Sequence, residues 1–156
     1  MSQADAAYLA GLIDGEGTVT LARRHRHENR RISVSICNTE IALVLAAQRM
    51  SGLGVISQKR RNSAHHAQAY VWAVWGRQAL DVLRQVQPWM RSYKAGRAAL
   101  ALSEYIVLTP RNGKYTAKQR KMRDSFEERL LALLPQPQQS ANMKCVRRAD
   151  RAASCF

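Results

Sequence analysis

Leu9-Ala10-Gly11-Leu12-Ile13-Asp14-Gly15-Glu16-Gly17 is an aliphatic stretch that turns abruptly into acid and glycine. The pattern predicts a helix over residues 4–14, stopped by Gly15 and Gly17. Small residues recur every fourth position at Ala7, Gly11 and Gly15, so they share one helix face. A flat stripe of this kind lets two helix backbones approach closely. Glycine inside a helix costs about 0.5–1 kcal/mol relative to alanine, so two of them need a reason. Asp14 and Glu16 add a second oddity. They stand at the C-terminal end of the helix, where the dipole disfavours negative charge. A bound divalent cation would become the largest local charge and reverse that penalty. The plainer alternative is that the glycines cap the helix and both acids are simply solvated.

Outward from this segment the chain alternates between helix and hairpin. Residues 18–26 and 31–37 predict two strands around a polar turn at 27–29. In the second strand Ile32, Val34 and Ile36 fall on one face, with Arg31, Ser33 and Ser35 on the other. Asn38 or Thr39 can cap a helix over 40–50, closed by Ser51-Gly52. Residues 55–61 and 68–75 form a second hairpin across a polar loop at 62–67, and helices follow over 77–86, 93–108 and 116–134. The order αββαββα defines an α+β fold, a four-stranded antiparallel sheet with helices on one face and the other face open. Residues 1–134 make one domain. The run that begins Pro135-Gln136-Pro137 leads into a basic, flexible C-terminal tail over 135–156.

Charge narrows the partner. Among 156 residues there are 25 Lys+Arg against 11 Asp+Glu, a net charge of +14, which points to a polyanion. The basic residues cluster at 23–31, 59–61, 91–97, 111–123 and 144–151. No run of about 18 apolar residues is present, so no membrane span is expected. The first twenty residues hold Asp5, Asp14 and Glu16 without Lys or Arg, unlike a secretory or transit segment. Cys37, Cys145 and Cys155 lack paired spacing and read as free thiols of a reducing compartment. The expected location is intracellular, in a bacterial cytoplasm or nucleoid or an organelle matrix.

The polar strand faces are the natural nucleic-acid surface. Alternation groups Thr18, Thr20, Ala22, Arg24 and Arg26, then Arg31, Ser33 and Ser35, then Ser57, Lys59 and Arg61. Gln68, Tyr70 and Trp72 are the candidates from the fourth strand. A twisted sheet can follow the major groove, where Arg and Lys address guanine and Gln addresses adenine. Arg23, Arg30 and Arg60 fall in the opposite register and suit phosphate. A merely solvated face is the plainer alternative. His25, His27, His65 and His66 lack metal-site spacing. Trp72, Trp75 and Trp89 suit packing better than base stacking. There is no phosphate-binding glycine loop and no serine or cysteine nucleophile set.

The stretch from Leu9 to Gly17 resembles the nine-letter motif of the LAGLIDADG homing endonucleases, departing from it at Gly15 and Glu16. The resemblance in element order extends over residues 5–134. It implies that the Ala7–Gly11–Gly15 face packs against its counterpart, and, with only one motif present, that the counterpart belongs to a second copy in a homodimer. It further implies that Glu16 holds the catalytic metal with the Gly15 carbonyl as an added ligand, while Asp14 is structural. Asn38 matches a polar residue that orders water at the metal, beside its simpler role as a helix cap. Lys94 matches a basic residue that stabilises phosphate charge, although Arg91 or Arg97 could fill that place. The implied cofactor is Mg²⁺ or Mn²⁺, with Ca²⁺ supporting binding without cleavage. The implied substrate is a long, near-palindromic double-stranded DNA. An intron-RNA maturase and a non-cleaving DNA-binding regulator are the alternatives.

Overall fold

The structure, a computed structural model, describes residues 1–23, 25–61, 67–110 and 113–135. Ser2 opens the chain's first helix, α1 (Gln3–Glu16), by accepting from Asp5 N, and Gly17 closes it with its N–H on the Ile13 carbonyl. Strands β1 (Gly17–Ala22) and β2 (Arg31–Asn38) follow, then α2 (Ile41–Ser51), which ends on left-handed Gly52. Strands β3 (Val55–Gln58) and β4 (Tyr70–Trp75) precede α3 (Gly76–Val86), a 3-10 turn at Gln87–Trp89, α4 (Tyr93–Glu104) and α5 (Ala117–Ala132). The last helix begins with a reciprocal capping box between Thr116 and Gln119. The expected αββαββα order is present, and every strand pairing is antiparallel in the order β1-β2-β4-β3.

One face of this sheet is the core. Val19 and Leu21 of β1, Ile32, Val34 and Ile36 of β2, and Trp72 and Val74 of β4 are buried there. They pack with Leu9, Ala10 and Ile13 of α1, Val44 of α2, Leu80 and Leu83 of α3, and Phe126 and Leu130 of α5. Among the described residues, no helix packs on the other face.

Register and strand ends correct the sequence reading at six residues. Trp72 pairs with Ile36 and Ile56, is fully buried, and donates its indole N–H to the Leu53 carbonyl at 2.9 Å. Trp72 therefore belongs to the core face, and Tyr70, opposite Asn38 and Gln58, shares its register. The stretch Tyr70-Val71-Trp72-Ala73-Val74-Trp75 is apolar at both parities, so alternation could not fix its phase. Gln68 precedes β4 and holds the hairpin neck, donating to the Lys59 carbonyl (2.8 Å) and the Ala69 carbonyl (2.9 Å). Arg26 lies in the turn after β1, since that strand stops at Ala22. Lys59 and Arg61 lie exposed beyond the end of β3. Arg24, the 62–66 loop with His65 and His66, and the tail from 136 to 156 lie outside the described residues.

Candidate active-site helix end and nucleic-acid interface

The helix α1 divides its residues cleanly. Ala6, Leu9, Ala10 and Ile13 face the core, whereas Gly11 and Gly15 are exposed, and a Cβ added to either would meet nothing within 4 Å. Ala7 is half-buried beside them and completes the stripe. Gly17 is constrained in the opposite way. A Cβ there would stand 2.6 Å from Ile13 Cα and 3.1 Å from the Ser35 carbonyl oxygen, so only glycine lets the helix pass directly into β1.

The two acids part company at this point. Asp14 accepts from Ser92 Oγ (2.6 Å), Arg91 N (2.6 Å) and Ser92 N (3.3 Å). Ser92 is in turn the N-cap of α4, its hydroxyl accepting from Lys94 N at 3.2 Å. Asp14 is thus a structural tie between α1 and α4. Glu16 is exposed and makes no hydrogen bond or ion pair among the described residues.

Lys94 is 7% exposed, and its Nζ donates to the Ile13 and Asp14 carbonyls, both at 2.9 Å. It caps the C-terminal end of α1 with positive charge, where the dipole favours a cation. Burial pushes its pKa below the usual lysine range, with Arg97 adding to the shift and Asp14 and Glu16 opposing it. Arg97 instead donates to the Val19 carbonyl (2.9 Å) and the Leu133 carbonyl (2.8 Å), and the Arg91 guanidinium to the Pro88 carbonyl at 3.1 Å. Of the three candidate bases, only Lys94 reaches the end of α1 with its side chain.

Asn38 ends β2 at the same end of the sheet, because Gly17 at the start of β1 lies opposite Ile36. Its Oδ1 accepts from Glu40 N at 2.8 Å, a turn that leads into α2. The formal N-cap is Glu40, which makes no side-chain capping bond.

The residues at this end of α1 are oxygen donors of the kind a hard cation takes. Among the described residues no group of three or more His, Cys, Asp or Glu comes together. What α1 offers is one carboxylate without a hydrogen bond, Glu16, next to Gly15, since the Ile13 and Asp14 carbonyls already accept from Lys94. This is an all-oxygen set that suits Mg²⁺ or Ca²⁺, and Mg²⁺ is commonly held by one or two carboxylates with water and phosphate completing the shell. A single chain supplies too few ligands to hold such an ion alone.

Pairing sorts the open sheet face into rows. Nearest the Glu16 end lie Cys37, Val71 and Ser57, then Thr18, Ser35, Ala73 and Val55, then Thr20, Ser33 and Trp75, and farthest out Ala22 and Arg31. Thr20, Arg31, Ser33, Ser35 and Ser57 therefore share the face the sequence predicts for them. Sequence alternation missed Val55, Val71, Ala73 and Trp75. The signal that finds them is the apolar parity of β2, which fixes β4 once the two strands are paired. A groove beside Trp75 is lined by Ala22, Arg23, Arg31 and Val55, which brings Arg23 to this face.

A four-stranded antiparallel sheet with one bare face, an unengaged acid at the end of the first helix and an uncovered small-residue stripe define a homing-endonuclease type of fold. Residues 3–87 match the family described as the LAGLIDADG-like domain, and the chain belongs to that family. Among solved structures it is similar to the homing endonuclease I-CvuI in complex with its target in the presence of Ca, at 20% identity and a TM-score of 0.68 over 87% of this chain and 85% of that one. It is also similar to the homing endonuclease I-TnaI, at 16% identity and a TM-score of 0.60 over 82% of this chain and 94% of that one. The archaeal intron-encoded I-Vdi141I complexed with DNA aligns at 15% identity and a TM-score of 0.57, with 85% of each chain covered. No functionally curated protein is detectably similar in sequence.

Proposed function

We propose that this protein is a site-specific double-strand DNA endonuclease that works as a homodimer with Mg²⁺. The observation that carries this reading is the division of labour at the end of α1: Asp14 is absorbed by Ser92 and Arg91, while Glu16 is exposed and makes no hydrogen bond or ion pair among the described residues. Solved structures of the same fold are complexes with DNA targets, one with Ca present and one with Mg present and the DNA not cleaved.

Two copies would meet through Ala7, Gly11 and Gly15, bringing one Glu16 from each toward the shared axis. The paired Glu16 carboxylates, with the Gly15 carbonyls, would hold the cation against the scissile phosphates. When bound, the metal lowers the pKa of an attacking water and neutralises charge on the leaving oxygen. Lys94 fixes the helix end and contributes positive potential beside it. Asn38 orders water at the same end of the sheet. The two open faces would each read one half-site, so the target is near-palindromic and about two helical turns long. Mn²⁺ would replace Mg²⁺, and Ca²⁺ would support binding without cleavage. Such a protein acts inside the cell, where its DNA is.

The test is a selection: capture bound duplexes from a randomised pool in Ca²⁺, add Mg²⁺ and map the ends. A single near-palindrome, cut at its centre with short 3′ overhangs by wild type and spared by Glu16→Gln, is the expected result. Equal cutting by Glu16→Gln overturns the assignment. Binding without cutting moves the protein to a DNA-binding regulator, and enrichment of intron RNA over duplex DNA to a maturase.

A further inference from the structure

The half of the open face built from β3 and β4 is unusual for a surface that meets a polyanion. Its side chains are Val55, Val71, Ala73, Ser57 and Trp75, with no Lys, Arg, Asn or Gln among them. Val55 is 58% exposed and Trp75 44% exposed, so large apolar groups stand bare where solvent would favour polar ones. The positive charge lies around this strip rather than on it, in Lys59, Arg60 and Arg61 after β3 and in Arg23 and Arg31 at the other end of the sheet. That arrangement suits a duplex held by its phosphates at the margins, with base edges pressed against an apolar floor.

The thymine 5-methyl is the apolar group that base pairs present in the major groove, where C and A present amino donors. An apolar side chain against cytosine or adenine strips water from that amino group and returns no hydrogen bond. Against thymine it buries a methyl. Alternate residues on a strand are about 6.7 Å apart, close to two base steps, so Val71, Ala73 and Trp75 span about four base pairs.

We infer that Val55, Val71 and Trp75, set around the nearly buried Ala73, form a thymine-methyl reader that selects a thymine-containing run of about four base pairs in each half-site. The inference rests on the endonuclease reading above, and its test separates the two. A duplex is enriched from a randomised pool in Ca²⁺. The half-site is then resynthesised with deoxyuridine for thymidine, one position at a time, which removes only the methyl. Binding should weaken about fourfold for each methyl that meets the strip, the worth of one buried carbon. The penalty should vanish at the matching position in Trp75→Ala or Val55→Ser, both exposed sites that leave the fold intact by thermal melting. Deoxyuridine binding as well as thymidine at every position, or guanine and cytosine enriched along the run, overturns the methyl reader while leaving the endonuclease in place. Failure to enrich any duplex overturns both.

Discussion

Ser92 Oγ donates to Asp14 Oδ1 at 2.6 Å, joining the start of α4 to the end of α1 across 78 residues of sequence. The contact explains why two acids two residues apart have different consequences. Ser92→Ala or Asp14→Ala leaves hydrogen-bonding groups at the α1–α4 junction unpaired and should cost about 1–3 kcal/mol in urea unfolding. Glu16→Gln should cost nothing, because it removes negative charge from the negative end of a helix. Equal losses for the two acids would contradict the division.

Lys94→Met should also destabilise, by about 1–3 kcal/mol, since it strips the donor from the Ile13 and Asp14 carbonyls. Methionine keeps most of the volume, so the loss reads the hydrogen bonds rather than a cavity. A variant as stable as wild type in thermal and urea unfolding would show that the capping contributes little.

The glycines on either side of Glu16 should behave oppositely. Gly15→Ala should stabilise the single subunit by about 0.5–1 kcal/mol, because within one chain its Cβ meets nothing and the helix gains propensity. Gly17→Ala should cost about 1–3 kcal/mol from the clash with Ile13 and Ser35. Gly11→Phe should leave the fold intact and convert a dimer to a monomer in sedimentation. A dimer that survives Gly11→Phe places the interface elsewhere.

Arg129 donates Nη1 to Glu104 Oε1 at 2.8 Å, and this pairing holds the Glu104 carboxyl below its usual pKa. A lowered carboxylate contributes stability above its unfolded pKa and loses it as pH falls through the folded one. Wild type should therefore be more stable than Glu104→Gln at neutral pH. The gap should close below about pH 4, where the unfolded glutamate is protonated and the folded one follows. A gap independent of pH would assign the effect to packing.

Not every arginine here serves DNA. Arg123 is 1% exposed and donates to Thr109 Oγ1 (2.6 Å), the Arg30 carbonyl (2.7 Å) and Glu127 Oε1 (3.2 Å). Arg123→Ala should cost about 3–5 kcal/mol of stability by leaving Glu127 and buried acceptors uncompensated. Lys59→Ala and Arg61→Ala should leave stability alone and each lower the salt slope of DNA binding by about one. A slope unchanged by either would remove that loop from the phosphate contacts.

Much of the fold was legible because the strongest patterns are local. The motif from Leu9 to Gly17, the clean alternation of Ile32, Val34 and Ile36, and the turn at Gly52 each specify their own geometry. Illegible parts depend on partners distant in sequence. Trp72 owes its burial to Ile36 across the sheet and to the Leu53 carbonyl, which the parity of β4 alone does not reveal. Arg97 and Arg123 count as basic residues in any composition, yet their acceptors lie at Val19, Leu133, Thr109 and Arg30. Charge clusters over 91–97 and 111–123 were therefore partly scaffold. Ser92 carried no signal of its own beyond its capping chemistry.

The described strands put only one long cation, Arg31, on the open face; Thr18, Thr20, Ser33, Ser35 and Ser57 are all short. A short side chain meets only a base edge that lies close over it, so the floor acts as a mould into which the duplex must be lowered. Under the proposed function, recognition would then depend on how readily each step of the target bends and how wide its grooves can open. Two sequences with the same contacted bases would bind differently if their flexible pyrimidine–purine steps fell in different places.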